Sequence, residues 1–131
     1  MTRYLPDTTF FIDFERRQPH AESFVRQCAE RGDTLSVCLI TLAEYYSGRV
    51  PGERPAMDWL INSCIYWEMP RDIGVLAAQH RLDVRKRGIQ IELPDALIAA
   101  LAFVRGATVV TENPKDFQMA GLSLLSLRAD T

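Results

Sequence analysis

Four acidic residues are set apart by what flanks them. Asp7 directly follows the short apolar run Arg3–Pro6, and Glu44 lies just past the β-rich run Thr34–Ile40. Asp95 opens the apolar stretch Ala96-Leu97-Ile98-Ala99-Ala100-Leu101-Ala102, and Asp116 follows the run Thr108–Thr111 inside Asn113-Pro114-Lys115-Asp116. Singly, each has a plain structural use. Asp7 can cap a helix, Asp95 can complement a helix dipole, Glu44 can be an exposed helix acid and Asp116 a turn residue. Asp13, Glu15, Asp72 and Glu92 read as acids without special placement. A carboxylate against apolar sequence is costly, however, unless it is paired, hydrogen-bonded or bound to a cation. Four gathered carboxylates would repel one another, and a hard divalent ion resolves that conflict. Mg²⁺ or Mn²⁺ takes oxygen ligands and keeps waters that a phosphate oxygen can replace. One or two such ions activate water against a phosphodiester. His20 reads as a loop residue and His80 as a helix-face residue, with no ligand spacing between them or the cysteines, which disfavours zinc.

Those acids need a scaffold that brings distant positions together. The pattern predicts a strand over Arg3–Pro6, then a helix begun by Asp7-Thr8-Thr9. A second helix runs from about Ala21 to Arg31, with Phe24, Val25, Cys28 and Ala29 as its buried stripe. Thr34–Ile40 reads as a strand buried on both faces, and Thr41 as the cap of a helix that stops at Ser47-Gly48. Val50–Pro55 is a connection. A helix through Met57, Leu60, Ile61 and Cys64 leads to a strand over Ile65–Met69, and a long helix follows over Asp72–Arg87. Pro94 opens the next helix, which runs to Gly106. Strands over Thr108–Thr111 and Leu122–Leu127 close the chain. Short apolar strands alternating with helices specify an α/β domain with a mostly parallel sheet. Ligands of such sheets collect beyond the carboxyl ends of the strands, where all four acids should fall.

The 131 residues, 47% hydrophobic and 24% charged, suit one globular domain spanning 1–131. No apolar run approaches the ~18 residues of a membrane span, and the N-terminus lacks an apolar leader, so a cytoplasmic location is expected. Cys28, Cys38 and Cys64 read as core residues of a reducing compartment. The net charge of −2 excludes a broad basic field, but setting the four acids aside leaves +2. Thirteen of the fifteen basic residues are arginine, the side chain suited to forked phosphate contacts. Tyr45, Tyr46 and Trp59 are candidates for a partner groove or dimer seam, and Trp67 for the core.

In order and spacing the segments Leu5-Pro6-Asp7-Thr8-Thr9, Ile40-Thr41-Leu42-Ala43-Glu44-Tyr45, Pro94-Asp95-Ala96-Leu97-Ile98-Ala99-Ala100, Val110-Thr111-Glu112-Asn113 and Lys115-Asp116-Phe117 resemble PIN-domain proteins, specifically VapC-type toxins of type II toxin–antitoxin systems. The resemblance covers nearly the whole chain. It implies a three-layer α/β/α sandwich and a ribonuclease dependent on Mg²⁺ or Mn²⁺ that cleaves RNA, tRNA among its substrates, and blocks translation. Asp7 and Asp95 would then be the principal metal ligands, with Glu44 and Asp116 completing the pocket. Thr8, Thr111 and Asn113 would orient the acids or the attacking water. A cognate antitoxin would occlude the pocket, and a homodimer or toxin–antitoxin hetero-oligomer is implied. Arg16, Arg17, Arg49 and Arg54 are expected to hold RNA near the mouth, while Arg85-Lys86-Arg87 reads as a solvated helix end. Thr9 stands where the family often has asparagine. Glu112 stands where relatives often carry a basic residue, adding negative charge near the site. A signalling receiver domain is excluded by the lack of an acidic pair after the first strand. A catalytically silent PIN-fold binding module is the alternative.

Overall fold

The structure, a computed structural model, describes residues 1–128. Its strands are β1 (Arg3–Pro6), β2 (Thr34–Cys38), β3 (Ile65–Trp67), β4 (Thr108–Val110) and β5 (Ser123–Leu125). The helices are α1 (Thr8–Glu15), α2 (Pro19–Arg31), α3 (Leu39–Tyr46), α4 (Pro55–Ser63), α5 (Arg71–Lys86) and α6 (Leu93–Arg105), with a 3₁₀ turn over Pro114–Phe117. The strands form one sheet in the order β3-β2-β1-β4-β5, every neighbouring pair parallel. Because successive strand residues face opposite sides, the sheet feeds two cores. Leu5, Cys38 and Val109 pack with Trp67, Ile73, Ala77 and the buried face of α6. Val37 and Val110 pack with Phe10, Phe11, Phe24, Cys28, Tyr45 and Leu60 from α1 to α4. The result is the expected three-layer α/β/α sandwich.

Several boundaries move. β2 ends at Cys38, two residues before the expected Ile40, because Leu39 already begins α3. Thr41 therefore does not cap this helix. It is buried inside the first turn with its hydroxyl 3.8 Å from the Cys38 thiol. The last strand keeps only Ser123–Leu125, because Ser126 turns its hydroxyl to Glu112. His20 belongs to the start of α2, since Pro19 suits the first helical turn. His80 is on α5 as expected and is buried, with no hydrogen-bond partner for Nε2 among the described residues. Burial, helped by the Arg87 charge, lowers its pKa despite Asp83. Tyr45 is not a surface residue: it is 1% exposed and donates a short hydrogen bond to Glu15. Trp67 is in the core, and Trp59 is 65% exposed. Cys28, Cys38 and Cys64 are free, with the Cys28 and Cys64 thiols pushed up by burial to about 11 and about 12. No helix among the described residues is long and apolar enough to cross a membrane.

Candidate active site

Parallel pairing sets the positions of the four acids. β1 runs into Asp7, whose amide donates to the Val110 carbonyl at 3.0 Å and so extends the β1–β4 ladder by one bond. Asp7 then becomes the N-cap of α1, Oδ1 accepting from the Phe10 amide at 3.3 Å. Its carboxylate is nearly sealed from solvent. Burial raises its pKa from 3.8 to about 6, against the hydrogen bonds from the Thr111 hydroxyl and the Phe10 and Thr9 amides. The Thr111 hydroxyl also accepts from the Asn113 amide at 3.0 Å, so the loop after β4 is folded back onto Asp7.

Asp95 lies in the first turn of α6, a helix opened by Leu93-Pro94 and capped at Glu92. Its pKa also rises to about 6, first through burial and then through the negative charges of Asp116, Glu44, Asp7 and Glu92. Four carboxylates thus act on Asp95 from three other segments of the chain and from its own helix cap. Asp116 is delivered by the 3₁₀ turn, whose amide at Asp116 donates to Asn113 at 3.0 Å and whose Phe117 is buried in the α6-side core. Glu44, on α3, is oriented by Thr8, whose hydroxyl donates to Oε1 at 2.7 Å. Thr8 and Thr111 therefore each hold a different acid.

The described residues do not form a closed cage: no three of their His, Cys, Asp or Glu side chains stand close enough to hold one ion between them. The donors do fit a hydrated hard cation. All are oxygen, their charges accumulate on Asp95, and Mg²⁺ is commonly held through one or two carboxylates with water filling the remaining positions.

Two of the four arginines expected at the mouth, Arg49 and Arg54, are engaged with another carboxylate. Arg16 and Arg17 follow the far end of α1, roughly 12 Å from its start at eight residues of 1.5 Å each. Arg49 is committed to Glu15 at that end, donating through Nε at 2.9 Å and Nη2 at 3.2 Å, and to the Tyr45 carbonyl through Nη1 at 3.0 Å. Arg54 reaches the same carboxylate at 3.5 Å. Glu15, read as an ordinary acid, organises this cluster.

Asp13 is also not ordinary. It is 3% exposed and pairs with His20 at 2.9 Å and with Arg128. Against burial, hydrogen bonds from Arg128 and His20 hold its pKa below the usual carboxylate range. The available signal was an acid between Ile12 and Phe14 on an apolar helix. Glu112 points away from a purely repulsive role. Its carboxylate accepts from Ser126 Oγ at 2.6 Å, from the Leu127 amide at 2.9 Å and from the Arg128 amide at 3.1 Å. Its charge still raises Asp7.

Comparison with known proteins decides the family. The PIN domain model matches residues 4–121. This chain belongs to the PIN domain family. Among curated relatives, the plasmid stability protein StbB of Pseudomonas syringae pv. tomato is 28% identical, over 93% of this chain and 96% of its own. Ribonuclease VapC19 of Mycobacterium tuberculosis is 25% identical, over 88% of this chain and 92% of its own. The PIN fold of the present chain superposes on VapBC2 from Rickettsia felis bound to a promoter DNA fragment, with a TM-score of 0.80, 20% identity and coverage of 95% and 98% of the two chains. DNA-bound VapBC from Salmonella typhimurium gives a TM-score of 0.77 at 21% identity, covering 97% and 99%.

Proposed function

We propose that this PIN domain is a divalent-metal-dependent endoribonuclease toxin of a toxin–antitoxin pair, hydrolysing RNA phosphodiesters, tRNA among them, and thereby inhibiting translation. The observation that carries this reading is the convergence of the Asp7, Glu44 and Asp116 charges on the half-buried Asp95. Asp7 and Asp95 are the residues to hold one or two Mg²⁺ or Mn²⁺ ions, with Glu44 and Asp116 joining directly or through water. When bound, the ion supplies Lewis-acid activation of water and neutralises charge developing on the phosphate. Thr8 keeps Glu44 in one rotamer and Thr111 keeps Asp7 aimed, so neither acid must be ordered when substrate arrives. Asn113 ties the Thr111 hydroxyl to the turn that carries Asp116. The relatives support the reading: one is named a ribonuclease, and several of similar fold were solved as VapBC toxin–antitoxin assemblies. The partners of this chain are accordingly a cognate antitoxin and RNA, in a homodimer or a toxin–antitoxin hetero-oligomer, and its place is the cytoplasm.

Cleavage of a total RNA pool tests the proposal. Activity should require Mg²⁺ or Mn²⁺, stop with a chelator, and fall at least a hundredfold in folded Asp95→Asn protein. Equal cleavage by Asp95→Asn would remove the acidic site from the mechanism. Binding of RNA without any metal-dependent cleavage would favour the silent binding module.

A further inference from the structure

The connection between α5 and α6 carries basic groups that the site has not used. Arg81 and Arg85 are four residues apart on α5, so they project from one helix face. Like charges at that spacing oppose each other, and both line the same recess of about 340 Å³, completed by Gly88, Ile89, Gln90 and Ile91. No acidic side chain lines it. Arg81 Nε donates to the Ile91 carbonyl at 2.8 Å. This bond fixes the guanidinium plane while leaving both Nη groups without a hydrogen bond to any described residue. Arg85 is exposed, and its side chain makes no hydrogen bond or ion pair among the described residues, although its carbonyl accepts from the Gly88 amide at 2.9 Å. Gly88 turns the chain with φ +79, and open space surrounds the position of its absent Cβ. Two forked cations, an amide from Gln90 and no counter-charge make a receptor for a phosphate group.

A short stretch of chain joins the recess to the acids. Ile91 is buried and leads through the Glu92 cap into the first turn of α6, where Asp95 lies. Four Cα steps of 3.80 Å bound the Ile91–Asp95 Cα separation at about 15 Å. A nucleic-acid strand presents a phosphate every few ångströms, so one strand can touch the recess and the acids together. We propose that the Arg81–Arg85 recess binds the phosphate backbone of the RNA a few nucleotides from the scissile bond, an inference that rests on the ribonuclease reading. Of the four arginines expected in that role, Arg49 and Arg54 are instead engaged with Glu15.

The test measures binding of a fluorescein-labelled single-stranded RNA of mixed sequence to full-length Asp95→Asn protein over a KCl series. Arg85→Glu, which removes no side-chain bond, should weaken binding about tenfold or more and flatten the salt dependence by roughly one unit of log–log slope. Arg81→Lys keeps the charge and loses the fork; it should bind more weakly than its parent with an unchanged slope. Unchanged affinity and slope in Arg85→Glu would overturn the proposal. So would unchanged RNA binding combined with lost binding of a polyglutamate peptide, which would assign the recess to an acidic protein segment. The underlying reading fails separately, if unmodified protein with Mn²⁺ neither binds nor cleaves the RNA. Cleavage by the unmodified protein with normal binding by Arg85→Glu overturns the recess alone.

Discussion

Asp7 is pulled in opposite directions by its two structural surroundings. The Phe10 amide and the Thr111 hydroxyl favour its charged form, yet burial dominates and raises the pKa to about 6. A carboxyl whose folded pKa is raised destabilises the folded state once it ionises, so its cost is absent below about pH 4 and complete above about pH 6. At ~1.36 kcal/mol per unit, that cost reaches at most about 3 kcal/mol at pH 7.5 in metal-free protein. Asparagine caps helices as well as aspartate does, so Asp7→Asn removes the charge without losing the cap. The expected outcome is a variant more stable than the parent by about 1–3 kcal/mol in urea unfolding at pH 7.5 with EDTA, and inactive. Its advantage should vanish at pH 4. Mn²⁺ should raise the melting temperature of the parent, because it binds only the folded state, and leave that of Asp7→Asn much less changed. An Asp7→Asn protein less stable than the parent at pH 7.5 would mean that burial is not what perturbs this carboxyl.

At the level of elements, α1 is held at both ends by acids of different kinds. Asp7 starts it, and Asp13 ties its last turns to His20 on α2 and to Arg128 beyond β5. The folded pKa of Asp13 is lowered, so its contribution is complete above about pH 4 and is lost as pH falls below that. Asp13→Ala should cost about 1–3 kcal/mol near neutral pH, because a buried pair is broken while its partners can still reach water. Urea midpoints should differ at pH 6 and converge towards pH 3. Trypsin should cut after Arg128 faster in the variant. The Arg128 tie was not readable from the chain, since that partner of Asp13 is 115 positions away. The mutual approach of the four acids was readable because Asp7, Glu44 and Asp116 lie on segments that follow strands and Asp95 opens a helix that feeds one. Thr41 misled for a related reason: a threonine before an apolar helix has the chemistry of a cap, but Leu39 and Ile40 had already entered the helix. Propensity locates the turn of the chain, whereas the β2–β3 and β2–β1 ladders decide where the strand stops.

At the scale of the whole molecule, the two helical layers serve different tasks. The α5–α6 layer buries an alanine-rich helix, Ala96, Ala99, Ala100 and Ala102 all being sealed, and that close approach brings Asp95 to the sheet. The opposite layer leaves a largely apolar groove of about 260 Å³ between α2, α4 and the β2–β3 strands, lined by Val25, Ala29, Leu35, Trp59, Leu60 and Ile65. Trp59 is 65% exposed and borders this groove, so its ring adds to a contiguous apolar surface. An antitoxin helix that lays its apolar face in this groove would cover the indole, and buried tryptophans are prominent among residues that dominate binding. Trp59→Ser should therefore weaken the complex with the cognate antitoxin at least about thirtyfold, corresponding to a loss of roughly 2 kcal/mol. The melting temperature of the isolated PIN domain should remain nearly unchanged, because an exposed ring contributes little to its core. Tyr45→Ser provides the contrast. That ring sits 1% exposed between Phe11 and Tyr46 and its hydroxyl holds Glu15, so the substitution should lower the melting temperature steeply before any partner is added. Calorimetric titration of the antitoxin into Trp59→Ser protein separates the two surfaces: unchanged affinity there would place the antitoxin on a different face of the sandwich.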